Sequence, residues 1–293
     1  MKQIDKLKYL EENYGKNILP LSVIENEDLP GTKPLEVLGF YKKETSLALA
    51  KESIFKAVEH YNLFSSRLIM IDDNKFALQY CTDGIEYHEL PLIDDTFDNI
   101  NIEDIKKQIV HVKTLPGEPL FAVTIMPVKD GIFGGISCSH AVADGIALIL
   151  LLYTWGCIKD GNVFPVPSPQ RLFNGNPISS DKIDKVFIPP LSELSNKIQN
   201  KVHNINNIKT YMKREYFSDE FLEEIKNKAK SENAKDVISS NQIITSFLLK
   251  KYHNQVLPAT ERIVIRTPVN IREIHPDIDF LYIGNAYIDN TTE

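Results

Sequence analysis

The chain has 293 residues and a formal net charge of −7, with 43% apolar and 25% charged residues. This is the composition of a globular protein with one large domain or two of ordinary size. The acidic balance argues against a dedicated surface for nucleic acid or for an anionic membrane.

The cysteines and the N-terminus indicate the compartment. Cys81, Cys138 and Cys157 show no paired spacing, which favours a reducing environment. The first residues are charged throughout and lack the apolar segment of a secretory signal. The longest apolar run, 146–155, is too short to span a bilayer. We therefore expect a cytoplasmic protein with neither a membrane nor a nucleic-acid partner.

The first part of the chain predicts a helix, a strand pair and a second helix. Apolar residues recur at helical spacing over 46–61. Residues 67–71 and 75–80 are typical of strands joined by a short turn. The second helix is predicted over 101–111.

A β-hairpin followed by a buried helix is predicted next. Two β-rich runs, 120–128 and 132–139, flank a turn at 129–131, and the second run ends at His140. Residues 146–157 are apolar nearly all round a helix, so we expect both sides of that helix to be buried.

The region 161–190 differs in composition, with six prolines, two glycines and little periodicity. Such a stretch is typical of an extended linker. We therefore predict a first domain at 1–160, a linker at 161–190 and a second domain at 191–293.

The second domain is expected to repeat the first domain's style of helices laid on a sheet. Ser218 and Ser240 are placed to cap helices. Its helices and strands are predicted over 191–202, 211–217, 218–225, 240–252, 262–267 and 281–288.

Several common signatures are absent from the sequence. There is no phosphate-binding glycine loop, no zinc-ligand spacing and no Gly-x-Ser-x-Gly nucleophile segment. We expect no metal and no permanently bound cofactor.

His140 is the candidate catalytic residue, because it stands where a β-run ends and a buried helix begins. A histidine with an ordinary pKa of about 6.5 can take a proton from a hydroxyl or amine at neutral pH. Asp144, which precedes Gly145, has two interpretations. It orients the imidazole directly, or it caps the helix and pairs with an arginine elsewhere.

Cys138 also has two interpretations. It precedes His140 by two residues, so both side chains would face the same way on a strand. A Cys–His nucleophilic pair is one possibility, and a small buried thiol, the usual case, is the other.

Five ordered landmarks resemble the BAHD family of acyl-CoA-dependent acyltransferases. The central one is the HxxxDG segment Ser139-His140-Ala141-Val142-Ala143-Asp144-Gly145, with the run from Pro119 before it and the helix to Trp155 after it. The others are Leu21-Ser22 with Gly39-Phe40-Tyr41, Phe64-Ser65-Ser66-Arg67-Leu68, Ser239-Ser240-Asn241-Gln242-Ile243, and Pro268-Val269-Asn270-Ile271-Arg272 with Tyr282-Ile283-Gly284-Asn285-Ala286. Ordered matches over nearly the whole chain are far more specific than one motif.

The resemblance implies an α/β (α+β) fold of two chloramphenicol-acetyltransferase-like domains, with mixed sheets flanked by helices and a channel between the domains. It also implies acyl-CoA as co-substrate and a small-molecule hydroxyl or amine as acceptor. His140 would act as general base in direct transfer, with no acyl-enzyme.

The resemblance also implies roles for residues near His140. Asp144 would point away from the channel and pair with Arg272, since a buried carboxylate needs such a partner. Gly145 would let the backbone turn closely past the site. Asn285 would hydrogen-bond substrate or serve as a turn residue.

Two departures from the family pattern, and one from the pattern of related condensation domains, bear on function. Asn270 stands where aspartate is usual, and Ser139 replaces the first histidine of the double histidine in related condensation domains. The serine favours a free acyl-CoA donor over a carrier protein. The Asp-Phe-Gly-Trp-Gly segment is absent, so we expect an incomplete second domain.

The incomplete second domain suggests a truncated product, a split protein completed by a second chain, or a partner-stabilised form. Two alternative functions follow. One is condensation-type transfer from a carrier protein, and the other is a non-catalytic binding form.

Overall fold

The structure is a computed structural model that describes residues 17–21, 33–42, 46–72, 75–81, 84–167, 178–179, 215–231, 239–256, 265–276 and 278–292. The chain divides into two compact units. The first comprises Met1–Ile208 and Val269–Ile288, and the second comprises Lys209–Pro268 and Asp289–Glu293. The predicted domain boundaries stay a prediction.

Helices and strands alternate along the described parts of the chain. The strands are β1 (Asn17–Pro20), β2 (Leu35–Tyr41), β3 (Arg67–Asp72), β4 (Lys75–Gln79), β5 (Glu86–Glu89), β6 (Phe121–Val128), β7 (Gly131–Cys138), β8 (Ile178–Ser179), β9 (Ile265–Asn270) and β10 (Tyr287–Thr292). The α-helices are α1 (Leu47–His60), α2 (Ile102–Lys106), α3 (Gly145–Asp160), α4 (Asp219–Ser231) and α5 (Ser240–Val256). Short 3-10 turns lie at Asn62–Ser65 and Phe97–Asn99.

The described strands form three sheets. The first has the order β3-β4-β1-β8 and is antiparallel. The second has the order β2-β7-β6-β5 and is mixed, because β5 runs parallel to β6. The third pairs β9 with β10. The predicted strand pair and hairpin are confirmed as β3–β4 and β6–β7.

Apolar side chains cover both faces of the mixed sheet. Successive residues of a strand point to opposite faces. Accordingly, Ile125 belongs to the large core cluster shared with α1 and α3, whereas Met126 packs with Ile105, Ile109 and Phe133 on the other face. Every residue of β6 is buried, so β6 is the most buried strand of the mixed sheet.

The helix predicted over 101–111 is shorter than expected. It begins after the cap residue Asn101 and ends at Lys106. Beyond Ile109 the chain lies along the sheet, where the Val110 amide donates to Thr124 Oγ1 (3.0 Å) and the Val112 amide to Ser137 Oγ (3.0 Å). These side-chain acceptors replace the helical hydrogen bonds and end the helix early.

The expectation that α3 is buried on both sides is wrong. Ile149 and Tyr153 are each 58% exposed. They stand four residues apart and so lie on one stripe of the helix, away from its buried residues such as Leu148 and Leu151.

None of the helices in the described ranges combines the length and the apolar character that a membrane span requires.

Two helices of the second unit begin with serine caps. Ser218 Oγ accepts from the Phe221 amide (3.2 Å), as predicted. The cap of α5 is Ser239 rather than the predicted Ser240. Ser239 Oγ accepts from the Gln242 amide (3.2 Å), and Gln242 Oε1 accepts from the Ser239 amide (2.8 Å). This reciprocal pair is a capping box, which satisfies two free amides at once.

Other predicted elements differ or lie outside the described residues. Residues 215–217 form no strand, and 281–286 are irregular, so the last strand starts only at Tyr287. Residues 191–202, Ser22 and most of the predicted linker fall outside the described ranges.

Candidate active site

The turn that carries His140 is held by a buried hydroxyl. β7 ends at Cys138, and the Ser139 amide donates to the Leu120 carbonyl (2.8 Å). Ser139 Oγ accepts from the Ala141 amide (3.1 Å) and from Thr114 Oγ1 (2.9 Å). The sequence alone marks Ser139 only as a departure from a histidine pair. The sequence does not reveal the hydrogen bond between Thr114 and Ser139, because the two residues are 25 positions apart.

His140 itself is half-buried. Its Nδ1 is enclosed and has no hydrogen-bond partner among the described residues. Its backbone carbonyl accepts from Asn285 Nδ2 at 2.6 Å. The peptide of the candidate base is therefore held in place by a side chain that is distant in the sequence.

The Asp144 carboxylate is saturated by other partners. Oδ1 accepts from the Ala147 amide (2.9 Å) and so caps α3. Oδ2 accepts from the Ala286 amide (2.9 Å). Arg272 pairs with both oxygens, through Nη1 at 2.7 Å and Nη2 at 2.9 Å. The structure thus pairs Asp144 with Arg272. Asp144 and His140, both among the described residues, do not hydrogen-bond to each other through their side chains.

Arg272 is only 3% exposed and is fully hydrogen-bonded. Besides the carboxylate, its guanidinium donates to the carbonyls of Tyr282 (3.1 and 3.2 Å) and Gly284 (2.9 Å). It also donates to Asn270 Oδ1 (3.1 Å). The asparagine at position 270 therefore supplies an acceptor despite its departure from aspartate. A bidentate Arg–carboxylate pair with further acceptors is the geometry in which burial of both charges is tolerated.

Of two glycines near the site, only Gly284 has a structural reason to be glycine. Gly284 has φ 119°, which favours glycine, and its carbonyl faces Arg272. The close backbone approach expected at Gly145 is not found, because a Cβ there would meet no described heavy atom within 4 Å. The structure gives no steric reason for glycine at position 145.

Asn285 lies beside His140 and is 4% exposed. Its Nδ2 is engaged by the His140 carbonyl, whereas its Oδ1 is enclosed and has no partner among the described residues. Among the described residues, the side-chain amide is therefore held through its nitrogen alone.

Cys138 has the environment of a core thiol. It is fully buried and belongs to the large apolar cluster, and burial raises the pKa of its thiol. Since β7 ends at this residue, the strand alternation that would align it with His140 does not continue. These observations favour the buried thiol over a nucleophile. Within the described ranges, no group of three or more His, Cys, Asp and Glu side chains could hold a metal ion.

The sequence profile of the Transferase family matches residues 12–293. The chain belongs to this family. "BAHD acyltransferase DCR" of Arabidopsis thaliana, a curated relative, is 26% identical over 124 residues, which cover 38% of this chain and 26% of that protein. The predicted membership among BAHD-type acyltransferases is confirmed.

Solved structures show the fold of this Transferase family member. Vinorine synthase has a TM-score of 0.60 at 15% identity, covering 93% of this chain and 65% of that one. F. sporotrichioides TRI101, complexed with coenzyme A and T-2, has a TM-score of 0.62 at 12% identity, covering 93% and 68%. The predicted fold class, mixed sheets flanked by helices in a chloramphenicol-acetyltransferase-like arrangement, is confirmed. The chain spans about two thirds of these structures and about a quarter of the curated relative.

Proposed function

We propose that this chain serves acyl transfer from acyl-CoA to a hydroxyl or amine of a small molecule, with His140 as general base. The observation that carries the proposal is the state of His140. Its backbone is fixed from the 282–286 segment through Asn285, and the Asp144 carboxylate four residues further on is committed to Arg272, so this carboxylate does not engage the imidazole.

The reaction needs one proton acceptor and no covalent intermediate on the protein. The imidazole takes the proton of the acceptor hydroxyl or amine as that atom attacks the thioester carbonyl. The tetrahedral intermediate then collapses, breaking the carbon–sulfur bond, and the CoA thiolate leaves and takes up the proton from the imidazolium. Proton transfer of this kind contributes about 10²–10⁴-fold to rate.

The neighbours of His140 support the site without reacting. Asp144 and Arg272 direct their hydrogen bonds at each other, at the Asn270 side chain and at the backbone, so we assign them a structural role. For Asn285 we propose a positioning role through the His140 carbonyl, with Oδ1 accepting a hydrogen bond from substrate. Gly145 is kept as a structural residue at the start of α3.

Coenzyme A is present in the TRI101 structure, which supports acyl-CoA as the co-substrate here. A cytoplasmic location and a further polypeptide that completes the second domain stay predictions.

The test is thiol release from a panel of acyl-CoAs with alcohol and amine acceptors. Wild type is compared with His140→Ala and with His111→Ala, a matched histidine that is half-exposed and paired with Glu36. We expect His140→Ala to lower the rate at least about 100-fold and His111→Ala to have no effect. Equal rates for wild type and His140→Ala would refute the catalytic role.

Three further measurements sharpen the mechanism. Intact-mass analysis after incubation with acyl-CoA alone should show no acyl adduct, whereas an adduct would contradict direct transfer. Asn285→Ala should lower the rate of thiol release from acyl-CoA. The choice of donor is tested with wild type, and a preference for a phosphopantetheinylated carrier protein over CoA would assign a condensation-type reaction.

A further inference from the structure

A groove lies at the far end of α3 from His140, between that helix and the mixed sheet. Its volume is about 300 Å³ and its wall is almost wholly apolar. Lys159, at its rim, stands in the last turn of α3, whereas His140 precedes the first turn. At 1.5 Å per residue the two ends of the helix are roughly 20 Å apart, so the Lys159 end of the groove is remote from His140. The groove residue of β7 nearest to His140 in sequence is Ile136, four positions before it.

Three glycines create the space. Gly39 and Gly134 stand directly opposite each other in the β2–β7 register, and Gly156 lies on α3 above them. A Cβ at Gly39 or Gly156 would meet no described heavy atom within 4 Å, and at Gly134 it would only touch the Trp155 ring at 3.7 Å. Glycine within a strand often marks a close approach of another molecule.

Trp155 forms a fixed wall of the groove. Its Nε1 donates to the Ala50 carbonyl (3.1 Å) and to Ser53 Oγ (3.0 Å), both on α1. The indole is thereby locked between the two helices with part of its ring facing the groove. A rigid aromatic wall over a glycine floor suits a narrow, flexible alkyl chain.

The groove has one charged end. The Lys159 side chain is 11% exposed, its Nζ donates to Tyr41 Oη (2.6 Å) and lies 4.0 Å from the Tyr41 ring centroid. Burial alone would lower the pKa of Lys159, but its hydrogen bonds to Asp160 and Tyr41 outweigh this, and the net direction is upward. Lys159 is therefore a cation at neutral pH. Its partner Asp160 is half-exposed, and exposed ion pairs are weak.

We propose that this groove binds an aliphatic carboxylic acid, with the alkyl chain along Gly39, Gly134 and Gly156 and the carboxylate on Lys159. The carboxylate replaces Asp160 as the anion beside Nζ, and Asp160 turns into solvent. Tyr41 Oη lies within hydrogen-bond distance of the same ammonium and orients the head group. The site requires no chemistry at His140 and does not depend on the proposed transferase activity.

The single tryptophan of the chain makes the groove directly observable. We expect 10-bromodecanoic acid to quench the fluorescence of Trp155 saturably, and decanoic acid to reverse the quenching by competition. Because 1-decanol lacks the charge-assisted hydrogen bond to Lys159, it should compete at least about tenfold less well.

Four variants separate the parts of the site. Lys159→Met should weaken decanoic acid binding at least about tenfold, whereas Lys129→Met, at an exposed lysine paired with Asp94, should leave it unchanged. Asp160→Asn should tighten binding, because it removes the competing anion. Gly39→Leu should abolish binding by filling the floor. The far-UV circular dichroism and thermal unfolding of each variant are measured alongside.

Three results would overturn the proposal. They are absence of saturable quenching in wild type, equal competition by 1-decanol and decanoic acid, and unchanged binding in a folded Gly39→Leu or Lys159→Met variant. If wild type forms a dimer in which Trp155 is shielded from the brominated acid, the groove is occupied by a second copy of the chain. That outcome would also overturn the proposal of a carboxylic-acid ligand.

Discussion

Cys138 illustrates how burial changes the chemistry of a single residue. It sits two positions before His140, yet its thiol lies in the core and donates only weakly, to the Ser139 carbonyl at 3.5 Å. Burial disfavours the charged thiolate, and it therefore raises the pKa of this cysteine. A thiol held protonated in this way is a poor nucleophile.

Raising the pH should destabilise the folded chain partly through Cys138. The unfolded thiol ionises near its ordinary pKa of about 8.5, while the folded thiol stays neutral. The stabilisation is fully present below that pH and is lost as the pH rises above it, because the unfolded state then releases a proton that the folded state retains. Urea unfolding between pH 7 and pH 10 should show a smaller decline in the free energy of unfolding for Cys138→Ala than for wild type. Cys157→Ala serves as a control for loss of a buried sulfur, and parallel slopes for Cys138→Ala and wild type would contradict the assignment.

His140 and Asn285 show which functional contacts are visible from the chain alone. The place of His140 between a β-run and a helix is a local feature, and it was predicted from the sequence. The contact of Asn285 with the His140 carbonyl joins residues 145 positions apart, and no local pattern contains it.

At the scale of elements, the types of most helices and strands were predictable and their ends were less so. The β6–β7 hairpin follows from two β-rich runs around a turn. The end of α2 depends instead on hydroxyls of Thr124 and Ser137, which belong to strands distant in the sequence. The start of α5 could have been recognised, because Ser239 and Gln242 have the spacing of a capping box.

Adjacent serines at the start of α5 provide a matched pair for testing this cap. Ser239→Ala removes the acceptor for the Gln242 amide and should cost about 1 kcal/mol of stability. Ser240→Ala replaces a residue inside the first turn with a better helix former and should be neutral or slightly stabilising. Urea unfolding followed by far-UV circular dichroism measures both variants. A larger loss for Ser240→Ala would show that the cap is assigned to the wrong serine.

At the scale of the whole molecule, the Asp144–Arg272 pair joins two distant parts of the first unit. The partners are 128 residues apart in sequence, and Ala286 and Gly284 bond to the same pair. The segment Val269–Ile288 accordingly belongs to the first unit, although the residues before it, from Lys209 to Pro268, belong to the second.

Removing Arg272 should lower the stability of the first unit strongly. Arg272→Ala leaves the buried Asp144 carboxylate without its cation, which we expect to cost about 3–5 kcal/mol. Asp144→Asn together with Arg272→Ala should cost less than the sum of the single variants, since the unpaired charge is gone. Lys107→Met, which breaks the exposed pair with Asp104, should leave the free energy of unfolding nearly unchanged, because exposed ion pairs are screened by solvent. Urea unfolding measures the two single variants at the buried pair, their double variant and Lys107→Met. If the effects of Asp144→Asn and Arg272→Ala on the free energy of unfolding were additive, the two residues would not stabilise the fold as a pair.

The sequence by itself determined the family, the α/β class and the hairpin that leads to His140. The family resemblance predicted the pairing of Asp144 with Arg272. These rest on periodicity and on short ordered motifs, which are local properties of the chain. The tertiary structure decided that Asn285 holds the His140 peptide, that Ile149 and Tyr153 face solvent, and that three glycines open a groove beside Lys159. Such features depend on which distant surfaces meet, and the free energy of those contacts is set by packing rather than by neighbours in sequence.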